Sequence, residues 1–136
     1  MPGGILRKGS LLIPSGYTDH LYIICCDPVF YPKKTKTCFL AVNISSLKPD
    51  IPYDRTCILN CGDHPFIRHP SFVFYGRADI FGSVTVEQHM AAGDIKIHEP
   101  CGDSVFNRIL SGFDISPHVT LEIRNFYKKY CNSNSG

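Results

Sequence analysis

The sequence predicts a small antiparallel β-barrel followed by C-terminal helices. Three observations predict it. The first two-thirds of the chain are short apolar stretches separated by turns rich in Pro and Gly. Those stretches are joined by turns and not by helical patterns, which argues against a βαβ sheet. The last third changes to helical spacing with capping residues. At 136 residues the chain is read as one domain, 1–136, with the barrel over about 7–90 and the helices over about 103–130. A domain of this size buries roughly two-thirds of its unfolded-chain surface and folds without cross-links.

The first strand is "GSLLIP" (9–14), an apolar run stopped by Pro14 before a Ser-Gly turn. The second is "HLYIICC" (20–26), rich in aliphatic and β-branched residues and ended by Asp27-Pro28. "DPVFYPKKTK" (27–36) reads as a long basic loop bearing aromatics. The third strand, "CFLAVNIS" (38–45), alternates, with Phe39, Ala41, Asn43 and Ser45 on one face and Leu40, Val42 and Ile44 on the other. "SLKPDIPY" (46–53) is a loop. "DRTCILN" (54–60) is the fourth strand and "SFVFYGRADI" (71–80) the fifth. "GSVTVE" (82–87) fits either a sixth strand or the entry to a short helix.

In the last third, "DSVFNRILSGF" carries Val105, Phe106, Ile109, Leu110 and Phe113 at helical spacing. Asp103 or Ser104 is its expected N-cap and Gly112 its expected C-cap. "SPHVTLEIRNFYKKY" is expected to start with Ser116 as N-cap and Pro117 at the first helical position. Its stripe is Val119, Ile123, Phe126, Tyr127 and Tyr130, and Lys128 and Lys129 suit the negative end of the helix dipole. "CNSNSG" is expected to be a frayed tail.

Hydrophobic residues make up 43% and charged residues 19% of the chain, a globular balance rather than a disordered one. No run approaches the ~18 apolar residues of a membrane span, so no membrane partner is expected. Seven cysteines, an odd number, without a basic-then-apolar leader, point to a cytoplasmic protein with reduced thiols. The net charge of +2 does not by itself signal nucleic acid. The cation clusters Arg7-Lys8, Lys33-Lys34-Lys36 and Arg124-Lys128-Lys129 read individually as solvated faces.

"TCILNCGDHPFIRHP" holds Cys57, Cys61, His64 and His69. A structural zinc needs four such ligands in a tetrahedron. If "RTCILN" is a strand, Cys57 and Cys61 lie about 13 Å apart at ~3.3 Å per residue, too far to share an ion. Buried packing is the commoner use of cysteine. There is no Cys-x-x-Cys, and the adjacent Cys25 and Cys26 of a strand point to opposite faces. No metal and no cofactor is expected.

A second reading of this region is catalytic. Loops and strand ends carry Ser45, Ser46, Lys48, Asp63, His64, Arg68, His69, Ser71, Tyr75, Arg77 and Asp79. Metal-free RNA cleavage uses the substrate's own 2′-hydroxyl as nucleophile. It needs a base at that hydroxyl, an acid at the leaving oxygen and a cation on the phosphate. Histidine titrates in the right range for the first two roles. Arginine matches a phosphate with its planar fork. His64 and His69 are the expected acid–base pair, Arg77 the phosphate ligand, and Ser45, Ser46 and Tyr75 supporting groups. Taken singly, each has a plainer structural explanation, such as an Arg77–Asp79 pair on one strand face.

The order of these pieces resembles the MazF/PemK-like group of toxin–antitoxin ribonucleases over about residues 7–113. "RKGSLLIPSG" resembles the family's opening strand, with Ser10 at a position usually acidic. "DHLYIICCDPVFYP" resembles its second strand, with "DHL" where the family carries Arg-Pro. "CFLAVNISSLK" resembles the strand ending in Thr/Ser-Ser, "HPSFVFYGRADIF" the strand bearing its catalytic Arg, and "DSVFNRILSGF" its closing helix. The resemblance implies an SH3-like barrel, cleavage of single-stranded RNA, a homodimer, and a cognate antitoxin protein covering the active face. It places Tyr75 or Arg77 at the catalytic arginine position and Ser45 or Ser46 at the Thr/Ser position. Lys33, Lys34, Lys36, Lys48 and Arg68 would then track the RNA backbone, and Phe30 or Tyr31 would stack on bases. The alternative function is a non-catalytic barrel that binds protein or RNA, with the histidines as loop residues or as zinc ligands with Cys57 and Cys61.

Overall fold

The computed structural model describes residues 4–131; the tail residues 132–136, expected to fray, lie outside them, as do residues 1–3. The fold is mainly β. Seven strands form one curled antiparallel half-barrel sheet, and three short helices complete it. The strands are β1 (Ser10–Ser15), β2 (Thr18–Ile24), β3 (Val29–Tyr31), β4 (Lys36–Ser46), β5 (Ile58–Leu59), β6 (Ser71–Gly82) and β7 (Lys96–His98). The helices are α1 (Ser83–Ala91), α2 (Asp103–Gly112) and α3 (Leu121–Phe126), the last running into a π-helical turn, Tyr127–Cys131. Across the sheet the order is β5-β6-β4-β2-β1-β7, and β3 also pairs with β4.

β1 and β2 form a tight hairpin, with Ser15 opposite Thr18. Gly16 takes the first of its two turn positions at φ 67°, where a side chain would be strained. β4 is the central strand. Every residue from Cys38 to Ile44 is buried, so the alternating pattern of 38–45 serves a strand covered on both faces.

β4 and β6 part company in the middle. Ala41 pairs with Asp79, and Asn43 with Phe74. Val42 therefore stands opposite four residues, Tyr75, Gly76, Arg77 and Ala78. The bulge bends β6 and turns Tyr75 into the core. Tyr75 is 1% exposed, and its hydroxyl donates to the carbonyl of Ile109 in the last turn of α2. A Cβ at Gly112 would lie 1.9 Å from that hydroxyl. Gly112 is thus required by Tyr75. The residue after it, Phe113, has an ordinary right-handed φ of −65°, so α2 has no left-handed cap.

Several expectations need correcting. Residues 27–36 are not a free loop, because β3 pairs Val29 with Cys38 and Tyr31 with Lys36. Only Ile58 and Leu59 of the 54–60 stretch are strand. Residues 83–91 form α1. β7 was not anticipated: three mostly exposed residues carry too short a pattern to register. α2 begins after Gly102 with no side-chain cap, and Asp103 instead pairs with Lys8. The last helix starts at Leu121, because Thr120 caps it by accepting from the Ile123 amide. Ser116 is committed elsewhere, donating to Asp54 at 2.6 Å and accepting from the His118 amide.

The C-terminal segment packs against the sheet through aromatic rings. Tyr31 of β3 meets Phe126 edge-on with ring centres 5.0 Å apart, and Phe113 stacks on Tyr127 at the same separation. Among the described residues no helix is long and apolar enough to cross a membrane.

Candidate functional site

A cleft of about 460 Å³ opens at one end of the half-barrel. Leu21 of β2 and Ile44 of β4 give it an apolar floor. Ser46 at the end of β4, Ser71 at the start of β6, Arg68 and His69 of the β5–β6 loop, and His98 of β7 supply its polar groups. Phe66 stands edge-on to His98, with ring centres 5.8 Å apart. The loop is held from both ends. The Ile67 amide donates to the His64 carbonyl, and the Ser71 hydroxyl donates to the His69 carbonyl at 2.8 Å. Leu47 N–H donates to the Pro70 carbonyl, which ties the loop to the strand bearing Ser46.

Three histidines belong to this region, and they differ chemically. His64 is 2% exposed. Its Nδ1 accepts the Phe66 amide at 3.1 Å, so its proton sits on Nε2, 2.7 Å from the Glu99 carbonyl oxygen. Ser10 donates to the same carbonyl and lies 3.2 Å from the ring nitrogen. Burial is the main cause pushing the His64 pKa down, helped by His98 nearby and opposed by the Glu99 hydrogen bond. His64 is a neutral tie between the loop, β1 and the segment after β7. Its one acceptor nitrogen is already filled.

His98 is half-buried, and its Nδ1 accepts the Glu99 amide at 2.8 Å. That hydrogen bond places the ring proton on Nε2, so His98 offers the cleft a donor. His69 is exposed, and among the described residues no hydrogen bond occupies its ring. Of the three, His69 is the one with neither ring nitrogen engaged among the described residues. Arg68 is exposed beside it and forms no ion pair among the described residues. It is the one arginine or lysine lining the cleft.

Four of the residues singled out in the sequence therefore meet here: Ser46, Arg68, His69 and Ser71. Lys48 lies two residues past Ser46 in an exposed loop. The others lie elsewhere. Ser45 pairs with Phe72 and faces the opposite side of the sheet from Ser46. Tyr75 is in the core. Arg77 is on the β6 bulge, its guanidinium 4.9 Å above the Phe74 ring. Lys33, Lys34 and Lys36 sit at the far end of β4; its ten steps from Lys36 to Ser46 would span roughly 33 Å if straight. Lys33 pairs with Glu122 at 3.6 Å, and Lys34 donates to the Ile80 carbonyl. Tyr31 is buried between Phe126 and Tyr130, whereas Phe30 is 59% exposed.

Cys57 is buried and Cys61 exposed. Among the described residues no three His, Cys, Asp or Glu side chains stand close enough together to hold a metal ion. Sequence reasoning missed His98. Its only signal was the short alternation Lys96-Ile97-His98 ahead of Pro100.

No protein-family model, curated protein or solved structure matches this chain. The chemistry of the cleft must speak for itself.

Proposed function

We propose that the chain is a metal-independent endoribonuclease acting on single-stranded RNA, built on an SH3-like barrel and serving as the toxin of a toxin–antitoxin pair. The observation that carries the reading is the convergence of Arg68, His69 and the Nε2–H of His98 on one open cleft. His69 removes the proton from the 2′-hydroxyl, whose oxygen attacks the adjacent phosphorus. Arg68 and His98 donate to the non-bridging oxygens and stabilise the charge that grows there. The bond to the 5′-oxygen breaks, and that oxygen takes a proton from water at the open mouth. The products carry a 2′,3′-cyclic phosphate and a 5′-hydroxyl. Ser46 adds a donor at the wall, Ser71 holds the loop through the His69 carbonyl, and Lys48 meets the backbone beyond the cleft. A homodimer and an antitoxin that covers this cleft complete the reading.

A second reading is a barrel that binds RNA or protein without cutting. The engaged rings of His64 and His98 favour it, because the Nδ1 of each already accepts a backbone amide. Incubating the purified protein with a long single-stranded RNA in EDTA separates the two. Discrete fragments ending in a 2′,3′-cyclic phosphate, lost in His69→Ala and weakened in Arg68→Ala and His98→Ala, are expected. Intact RNA with the parent protein, both in EDTA and in magnesium, would leave the binding reading.

A further inference from the structure

A second cleft lies on the other face of β6. Side chains alternate along a strand, so Phe72 and Phe74 point away from the face that carries Ser71. With Tyr53 they wall a cavity of about 180 Å³, which Asp54, Gly76 and His118 also line. The rings are tilted rather than parallel. Tyr53 and Phe72 lie 5.6 Å apart at 39°, and Phe72 and Phe74 lie 5.0 Å apart at 42°. They form one contiguous aromatic surface along the cavity.

Asp54 is 7% exposed. Its Oδ1 accepts the Thr56 amide at 2.9 Å and its Oδ2 accepts the Ser116 hydroxyl at 2.6 Å. Burial pushes its carboxyl up, but the hydrogen bonds from Ser116 and Thr56, with a smaller contribution from the nearby His118, outweigh burial and hold it below its ordinary value. It is ionised at neutral pH. Among the described residues it has no ion-pair partner. Buried carboxylates are as a rule paired with a cation, because an uncompensated charge out of water is costly. An aromatic surface beside a buried carboxylate carries the electrostatics that a cation needs.

We propose that this cleft binds a trimethylammonium group, held by the faces of Tyr53, Phe72 and Phe74 and by the charge of Asp54. The methylated head fits better than a bare ammonium for two reasons. A bare ammonium brings three donors, and both Asp54 oxygens already accept one hydrogen bond each. A methylated head is cheaper to dehydrate and packs its methyl groups against ring faces. The cavity is smaller than the roughly 300–1,000 Å³ of sites for drug-sized ligands, so it takes a compact head group and leaves the rest of the ligand outside. Arg55 lies 5.0 Å from the Tyr53 ring centre and Arg77 lies 4.9 Å from that of Phe74. Neither lines the cavity.

The proposal does not depend on RNA cleavage, and a protein inactive on RNA leaves it standing. It is tested by titrating the full chain with tetramethylammonium chloride, in salt-matched buffer, while following Tyr and Phe ring resonances by NMR. The neutral isostere 3,3-dimethylbutan-1-ol is titrated in parallel. Saturable shifts with the cation, and none or much weaker ones with the alcohol, are expected. Asp54→Asn can keep Oδ1 on the Thr56 amide and turn Nδ2 to donate to the Ser116 hydroxyl oxygen, and it removes the charge. Gly76→Leu fills the cavity; a Cβ at Gly76 meets Phe74 and His118 only at 3.7 Å, ordinary contact distance. Each variant should weaken binding by about tenfold or more, the scale of a lost cation contact at a desolvated site. Comparing choline with trimethyl-lysine then distinguishes a small-molecule source of the group from a modified side chain. Equal binding of cation and alcohol, no response to the cation, or unchanged affinity in both variants would each overturn the proposal.

Discussion

Replacing Gly112 by Ala tests the central packing of this fold. Within a helix that change ordinarily stabilises, by as much as about 1 kcal/mol, because Ala loses less backbone entropy than Gly. Here the added Cβ would lie 1.9 Å from the Tyr75 hydroxyl oxygen and 2.4 Å from its Cζ. Tyr75 has no room to retreat. It is 1% exposed, packs edge-on to Phe113 at 5.0 Å, and its hydroxyl is fixed on the Ile109 carbonyl at 2.6 Å. Overpacking of this kind costs about 1–3 kcal/mol. Losing the Tyr75 hydrogen bond adds about 1 kcal/mol. Against the helix gain, a net loss of about 2 kcal/mol is expected, or a fall in Tm of roughly 5–10 °C for a chain of this size. Urea denaturation of Gly112→Ala, Tyr75→Phe and the double variant measures it. Tyr75→Phe removes the nearest clashing atom, so the double variant should be more stable than the sum of the single changes predicts, by about 1 kcal/mol. Gly76→Ala, with its nearest neighbours at 3.7 Å, is the control and should fall within about 0.5 kcal/mol of the parent. A Gly112→Ala protein as stable as the parent would refute the packing argument.

Two further outcomes follow from the same contacts. Burial holds the His64 pKa below that of an unfolded histidine, near 6.5. The unfolded chain therefore takes up that proton first as pH falls. The stability His64 contributes is complete above about pH 6.5 and is lost progressively below it. Denaturation at pH 7 and pH 5 should show a drop that His64→Gln reduces; an unchanged drop in the variant would remove His64 as its source. Six cysteines are buried and Cys61 is exposed, so a thiol reagent on the native protein should modify Cys61 rapidly and the others only on unfolding. Rapid modification of several thiols, or protection of Cys61 that a chelator lifts, would contradict this arrangement.

Local chemistry made much of the fold legible. The apolar stretches 9–14 and 20–26, the alternation of 38–45 and the spacing of Val105, Phe106, Ile109 and Leu110 each name their element through interactions a few residues long, although β1 runs on through Pro14 to Ser15. The misassignments occur where a distant partner competes. Ser116 has the local signature of an N-cap, but Asp54, 62 positions earlier, takes its hydroxyl, and Thr120 caps the helix instead. Gly112 has the look of a C-cap, yet its lack of a side chain answers to Tyr75 on another element. Arg77 alternates like a functional strand residue, but Ser46 pairs with Ser71 at the start of β6, and Arg77 lies further along that strand.

The sequence by itself determined a mainly β chain with C-terminal helices, and it drew attention to the segment holding Arg68 and His69. Periodicity, turn chemistry and residue type act over a few residues and can be read directly. Only the tertiary structure decided that His98 joins that segment, that His64 is tied up as a buried neutral ring, and that Tyr53 and Asp54 face Phe72 and Phe74 around a second cavity. These are matters of which groups meet across the sheet and which nitrogens and oxygens are already filled. They depend on register, bulge and burial, which no local pattern encodes.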